Sequence, residues 1–390
     1  MRRILPVLAI VIVTIVFWTF GEGVISLYHD SDPHLSMFAI GRSLLTRRIA
    51  PIDPPPAAPA TAEGVQRDWI FDHVLTSASE LENLIEEFKR SGVALGNSPF
   101  VQLRDEGVAL NYMGSDGCLR QKPNLTRFVG YLRTTQWFNF DPVSFFYEDP
   151  NRLTPNVKAF LQRYALRTAL YTTNSFEERT TLPATEQPSK VIISGDSVAA
   201  GAIIDDGETI ASHLQRDTRE HQFINIGING ADPNAAFCAI DREGQRYGTQ
   251  ISALVYIWCE NDFDGDPPYH DPQAAMEWLG AFAAKYSIRS VMIVYAPYIY
   301  NTVPEVARIA GLTDKRGTYL DQFRILNAAA LSHGFLFFNV ADVVAVVRAE
   351  TNSHFGPLAM YVDHAHLSNY GSELVAREIE RRLPPTTVSR

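Results

Sequence analysis

Residues 190–197 read Lys-Val-Ile-Ile-Ser-Gly-Asp-Ser, a short apolar run that breaks on a glycine and ends on a serine. The β-branched residues suit a strand, Gly195 permits a tight turn, and Ser197 falls where a following helix would begin. The pattern repeats downstream. Runs rich in Val, Ile, Phe and Tyr at 222–226, 253–258, 289–295 and 335–340 alternate with helix-length segments at 208–219, 233–246, 272–286, 317–332 and 368–383. Strands alternating with helices predict right-handed βαβ crossovers and a parallel sheet covered on both faces. Near-continuous apolar strands agree with burial on both sides.

In such a sheet, reactive groups gather at the carboxyl ends of the strands. The first strand ends on Ser194-Gly195-Asp196-Ser197, the second on Asn225-Ile226-Gly227-Ile228-Asn229-Gly230, the third on Cys259-Glu260-Asn261-Asp262. Near the C-terminus, Asp363-His364-Ala365-His366-Leu367-Ser368 precedes the last helix. A serine in one loop and an aspartate with a histidine in another, at one sheet edge, are the parts of an activated nucleophile. The histidine takes the hydroxyl proton, the aspartate fixes the imidazole, and nearby donors stabilise an oxyanion.

Outward from this region the chain changes character. Its 390 residues suffice for one large or two modest domains, and a net charge of −10 argues against a general affinity for nucleic acid. Ile4–Phe20 is uncharged and follows Arg2 and Arg3, so residues 1–22 are expected to form an uncleaved transmembrane signal anchor with a cytoplasmic N-terminus. Gly21-Glu22-Gly23-Val24 makes a poor small-x-small cleavage site, which weighs against a cleaved signal peptide. The body would then be extracytoplasmic, in the periplasm or on the outer face. Residues 23–67, with Pro54-Pro55-Pro56-Ala57-Ala58-Pro59, read as an extended linker, and 68–189 as an accessory region without a readable role. Within it, Ser79 with Glu82 and the spacing of Leu81, Leu84, Ile85 and Phe88 predict a helix that Gly92 ends. The aromatic stretches 137–140 and 145–147 read as core in preference to a glycan-stacking platform. Of three cysteines at least one must stay free of an intrachain bridge; a Cys118–Cys238 bond is one option.

The ordered blocks Gly195-Asp196-Ser197, Gly230, Asn261-Asp262 and Asp363 with His366 resemble those of the SGNH (GDSL) hydrolase family. Ser212-His213-Leu214 after the first block and Leu367-Ser368-Asn369-Tyr370-Gly371 after the last are similar to it too, over about residues 190–383. The chain departs from the family at Cys259, where glycine is usual, and at Val198, where leucine is usual. The resemblance implies a three-layer α/β/α, flavodoxin-like fold over 190–390 and a serine esterase that needs no metal or cofactor. It implies Ser197 as nucleophile, His366 as general base and Asp363 as its orienting partner. The oxyanion hole would combine the N–H of Ser197, the N–H of Gly230 and the amide of Asn261, with Gly227 an alternative donor in the same loop.

Competing readings are weaker. Ser197 alone could be a helix cap. His364 and His366 could be a metal pair, but no further ligands accompany them at suitable spacing. Asp262, Asp264 and Asp266 superficially suggest a calcium loop, yet Gln273 stands where its bidentate Glu should fall. The expected activity is hydrolysis of an O-acyl ester, such as an acetyl group on an envelope glycan or a small molecule, through an acyl-Ser197 intermediate. An O-acyltransferase using the same residues and a catalytically silent glycan-binding module are the alternatives.

Overall fold

The computed structural model describes residues 78–96, 110–132, 143–310, 313, 316–353 and 356–384. The expected anchor and linker lie outside the described residues, as does the aromatic stretch 137–140. Among the described residues, no helix is long and apolar enough to cross a membrane.

The accessory region contains helix α1 (Ala78–Arg90), strand β1 (Ala94–Gly96) and a two-stranded antiparallel hairpin of β2 (Asn111–Met113) and β3 (Leu119–Gln121). It continues with β4 (Thr126–Leu132), β5 (Ser144–Tyr147), α2 (Pro155–Tyr164) and β6 (Ala165–Thr172). Strands β1, β5, β4 and β6 form an antiparallel sheet in that order. Gly92, at φ +68°, ends the turn that follows α1, where most side chains would be strained. Phe88 from α1, Phe145 and Tyr147 from β5, and Phe160 and Tyr164 from α2 make a separate apolar core. Phe145 and Tyr147 are therefore packing residues, and Phe146 leans on a small second cluster around Leu125, Val129 and Tyr171.

From residue 190 the elements are β7 (Lys190–Gly195), α3 (Ser197–Ala200), α4 (Ile210–Asp217), β8 (Gln222–Asn225), α5 (Pro233–Tyr247), β9 (Ile251–Cys259) and α6 (Pro272–Tyr286). They are followed by β10 (Ser290–Ala296), α7 (Ile299–Thr302), α8 (Pro304–Ala310), α9 (Leu320–Ser332), β11 (Leu336–Asn339), α10 (Val340–Thr351) and α11 (Asn369–Arg382). The sheet runs β8-β7-β9-β10-β11 with every pairing parallel. Side chains alternate along the strands, so two cores form. Val191, Ile193, Val255 and Ile257 face α4, α10 and α11. Ile192, Leu254, Tyr256 and Trp258 face α5, α6 and α9. The α/β fold with a parallel sheet, expected from the pattern, is thus present as three layers.

The sequence reading carries a strand to residue 340 and assigns nothing to 341–351. Val340–Thr351 is a helix, although its valines match the β-rich texture of the preceding strand. Asn339 accepts a hydrogen bond from the Ala341 N–H at 2.9 Å and starts that helix, and its apolar side, Val340, Val344 and Val347, packs on the sheet. Cys118, in the β2–β3 turn, is disulfide-bonded to Cys238 of α5, while Cys259 is a buried thiol.

Candidate active site

The backbone around Ser197 is fixed by crowding. Gly195 has φ +140°, and a Cβ there would lie 2.4 Å from the Ile257 carbonyl oxygen of the neighbouring strand. Only glycine lets β7 turn so close to β9. Asp196 is buried, and its Oδ1 accepts from the Val198 N–H at 2.8 Å, which starts α3 with Ser197 as its first residue.

Asp363 and His366 come from the loop before α11. Within it the Val362 N–H donates to the His366 carbonyl at 2.8 Å and the Ser368 N–H to the Met360 carbonyl at 2.8 Å, so the segment folds back on itself. Ser368 caps α11 through the Gly371 N–H, and a Cβ on Gly371 would lie 2.1 Å from the Met360 oxygen. His213 Nε2 meets Asn369 Oδ1 at 2.9 Å, joining α4 to the start of α11.

These loops bring Ser197, His366 and Asp363 together. His366 Nδ1 lies 2.7 Å from Asp363 Oδ2, and His366 Nε2 lies 2.8 Å from Ser197 Oγ. Asp363 Oδ1 accepts the N–H groups of Ala365 at 2.8 Å and His366 at 2.7 Å. With Nδ1 facing a carboxylate, that nitrogen carries the proton, and Nε2 is left to accept the serine hydroxyl proton. Burial disfavours the imidazolium, but the Asp363 carboxylate outweighs it and raises the pKa of His366 above its ordinary 6.5. Burial likewise opposes ionisation of Asp363, and the adjacent imidazole and backbone donors reverse this and hold its pKa well below the usual carboxylate range.

The glycine-bearing loop separates its two candidates. The Gly227 N–H donates to Asn225 Oδ1 at 3.0 Å, and a Cβ on Gly227 would lie 2.3 Å from the Ala200 nitrogen. Gly227 is thus a packing glycine whose N–H is already used. Gly230, exposed and at φ +73°, has open space where a Cβ would project, and its N–H has no acceptor among the described residues. Burial raises the pKa of Asp196, and the half-buried Asn261, in the turn after β9, works against that rise through a side-chain hydrogen bond to its carboxyl. Its neighbour Glu260 is buried and accepts from the Tyr295 hydroxyl at 2.6 Å, the Tyr298 N–H at 2.9 Å and Asn301 Nδ2 at 2.7 Å. The Ile299 N–H in turn donates to the His364 carbonyl at 2.8 Å. The Asn261 turn and the histidine loop are therefore held by one intervening loop.

Several neighbours of this centre come from outside residues 190–390, where the sequence offered no reason to look. Tyr131, on β4, is buried with its ring centroid 5.4 Å from that of His366. Asn111 and Gln121 on the hairpin reach the Gly227–Gly230 loop. The one local signal for the hairpin is Asp116-Gly117 between the short runs.

No protein-family model and no curated protein matches this chain. Solved structures resemble about half of it. A lipase/acylhydrolase from Enterococcus faecalis is 19% identical with a TM-score of 0.35, over 51% of this chain and 100% of its own. A member of the lipolytic protein G-D-S-L family from Veillonella parvula is 16% identical with a TM-score of 0.33, over 50% of this chain and 100% of its own. A variant of an acetyl-xylooligosaccharide esterase from Geobacillus Stearmophilus is 15% identical with a TM-score of 0.36, over 52% of this chain and 98% of its own.

Proposed function

We propose that this protein is a serine ester hydrolase of the SGNH type. The observation that carries the reading is the continuous line Asp363 Oδ2, His366 Nδ1, His366 Nε2, Ser197 Oγ, with steps of 2.7 and 2.8 Å across the imidazole. As Ser197 Oγ attacks an acyl carbonyl, His366 Nε2 takes the hydroxyl proton and Asp363 stabilises the imidazolium that forms. The oxyanion faces the N–H groups of Ser197 and Gly230 and the Asn261 amide. Collapse returns the proton to the leaving alkoxide and leaves acyl-Ser197. Water, deprotonated by His366, then attacks the acyl carbon, releasing the acid and restoring Ser197.

The substrate proposed is an O-acyl, in particular O-acetyl, group on a glycan of the cell envelope, met by a body tethered through residues 1–22 outside the cytoplasm. The Cys118–Cys238 disulfide supports an oxidising compartment. A fluorophosphonate probe tests the chemistry: it should label the wild type and not Ser197→Ala, and labelling that survives the substitution sinks the claim. Incubation with an acetyl donor, with and without a glycan acceptor, separates hydrolysis from transfer. Acetate released at the same rate in both arms is the expected result.

A further inference from the structure

The loop that carries Gly230 is held from outside the parallel-sheet body. Asn111 Nδ2 donates to the Asn229 carbonyl at 2.6 Å, and Gln121 Nε2 donates to the Gly227 carbonyl at 2.8 Å. These two side chains, at opposing positions of the β2–β3 hairpin, thus grip both ends of the four-residue segment whose last N–H has no acceptor among the described residues. The grip is itself braced. Gln121 is buried, and its Oε1 accepts from the Tyr171 hydroxyl, so the amide is held in one orientation. The hairpin turn is joined covalently to α5, the helix that follows the loop, through Cys118–Cys238. The Arg179 N–H adds a third tie, donating to the Asn225 carbonyl at 2.8 Å just before the loop.

We propose that the β2–β3 hairpin sets the position of the Gly230 N–H, with Asn111 and Gln121 as positioning residues for oxyanion stabilisation. The proposal rests on the serine-esterase reading of the site. A peptide plane anchored only by its own turn would librate, and an N–H displaced by a fraction of an ångström loses most of its value to a charge that exists only in the transition state. Neither side chain need touch the substrate. The hairpin therefore belongs to the catalytic apparatus, although it lies far from the triad in sequence.

The test compares the wild type with Asn111→Leu and Gln121→Met, which keep approximate size and remove the donors. Substrates are an aryl ester and its thionoester, in which sulfur, a weak acceptor, replaces the carbonyl oxygen. In both variants kcat on the oxygen ester should fall by about ten- to a hundredfold with KM unchanged. Turnover of the thionoester should fall less, so the wild-type preference for oxygen narrows. Variants that turn over the oxygen ester at the wild-type rate overturn the proposal. So does a fall in kcat with the oxygen-to-sulfur ratio unchanged, which is the signature of general damage. Asn111 is less buried than Gln121, so its variant decides alone if Gln121→Met does not fold. Fluorophosphonate labelling of the wild type keeps the two ideas apart. A labelled wild type with unaffected variants removes the brace only, whereas an unlabelled wild type removes the esterase reading and this proposal with it.

Discussion

At the scale of single residues, His366 governs how the site responds to pH. Burial works against its imidazolium, and the Asp363 carboxylate, assisted by Asp196, more than offsets burial, so its pKa lies above 6.5. The stabilisation this pairing gives the folded chain is therefore complete below the unfolded histidine value and is lost as pH rises through the raised one. The proposed hydrolysis should run in the opposite direction, since proton abstraction needs the neutral imidazole. kcat/KM for a small chromogenic ester should climb with pH to a plateau, with its midpoint above 6.5. Asp363→Asn removes the stronger of the two carboxylates and leaves burial in place, so the midpoint should move to lower pH while kcat falls by about ten-thousandfold. A midpoint that stays put in this variant would show that another group controls the profile.

Between elements, the contacts are less local. The strands at 190–195 and 251–259 were legible because burial on both faces demands continuous apolar residues. The strands of the accessory sheet were not, β1 and β5 being short, β4 and β6 partly polar, and each pairing with a segment distant in sequence, as β4 does with β6. Cysteine arithmetic left the Cys118–Cys238 bond open, because only the fold brings the hairpin turn and α5 to a Cα separation of 6.1 Å. The bridge closes a loop spanning 120 residues, so Cys118→Ser with Cys238→Ser should cost about 4 kcal/mol through the gain in unfolded-chain entropy. Urea unfolding monitored by tryptophan fluorescence measures this, and a loss below about 1 kcal/mol would show that the bridge constrains little.

Across the folded body, the boundary drawn at residue 190 from sequence is crossed by strong interactions. Arg179 is completely buried, donates to the carbonyls of Ala200 at 3.2 Å and Ile204 at 2.9 Å, pairs with Asp206 and lies 3.8 Å from the Tyr171 ring centroid. Burial lowers its pKa to about 10, which still leaves it charged at neutral pH. Arg179→Ala would strand the buried Asp206 carboxylate and should cost about 3–5 kcal/mol in urea unfolding. A fragment beginning at residue 190 would also lose Tyr131, Gln121 and the hairpin, so it should show weak near-UV circular dichroism and no turnover even of a small ester. Full small-ester activity in that fragment would mean that the accessory region serves only larger substrates.

The sequence by itself determined the alternation that makes a parallel sheet and the order in which Ser197, Gly230, Asn261, Asp363 and His366 follow its strands. The alternation is a local property, written in periodicity and in the residues that turns require, and the resemblance to the SGNH family picked those five residues out of the loops. Only the tertiary structure decided that Gly227 packs against α3 while the Gly230 N–H has no acceptor among the described residues, and that Tyr131, Asn111 and Gln121 stand around the same centre. The contacts of Tyr131, Asn111 and Gln121 join residues more than a hundred positions apart, as Asn111 and Asn229 are. No spacing along the chain encodes a hydrogen bond between a side chain and a distant carbonyl, because its geometry exists only after both segments have packed.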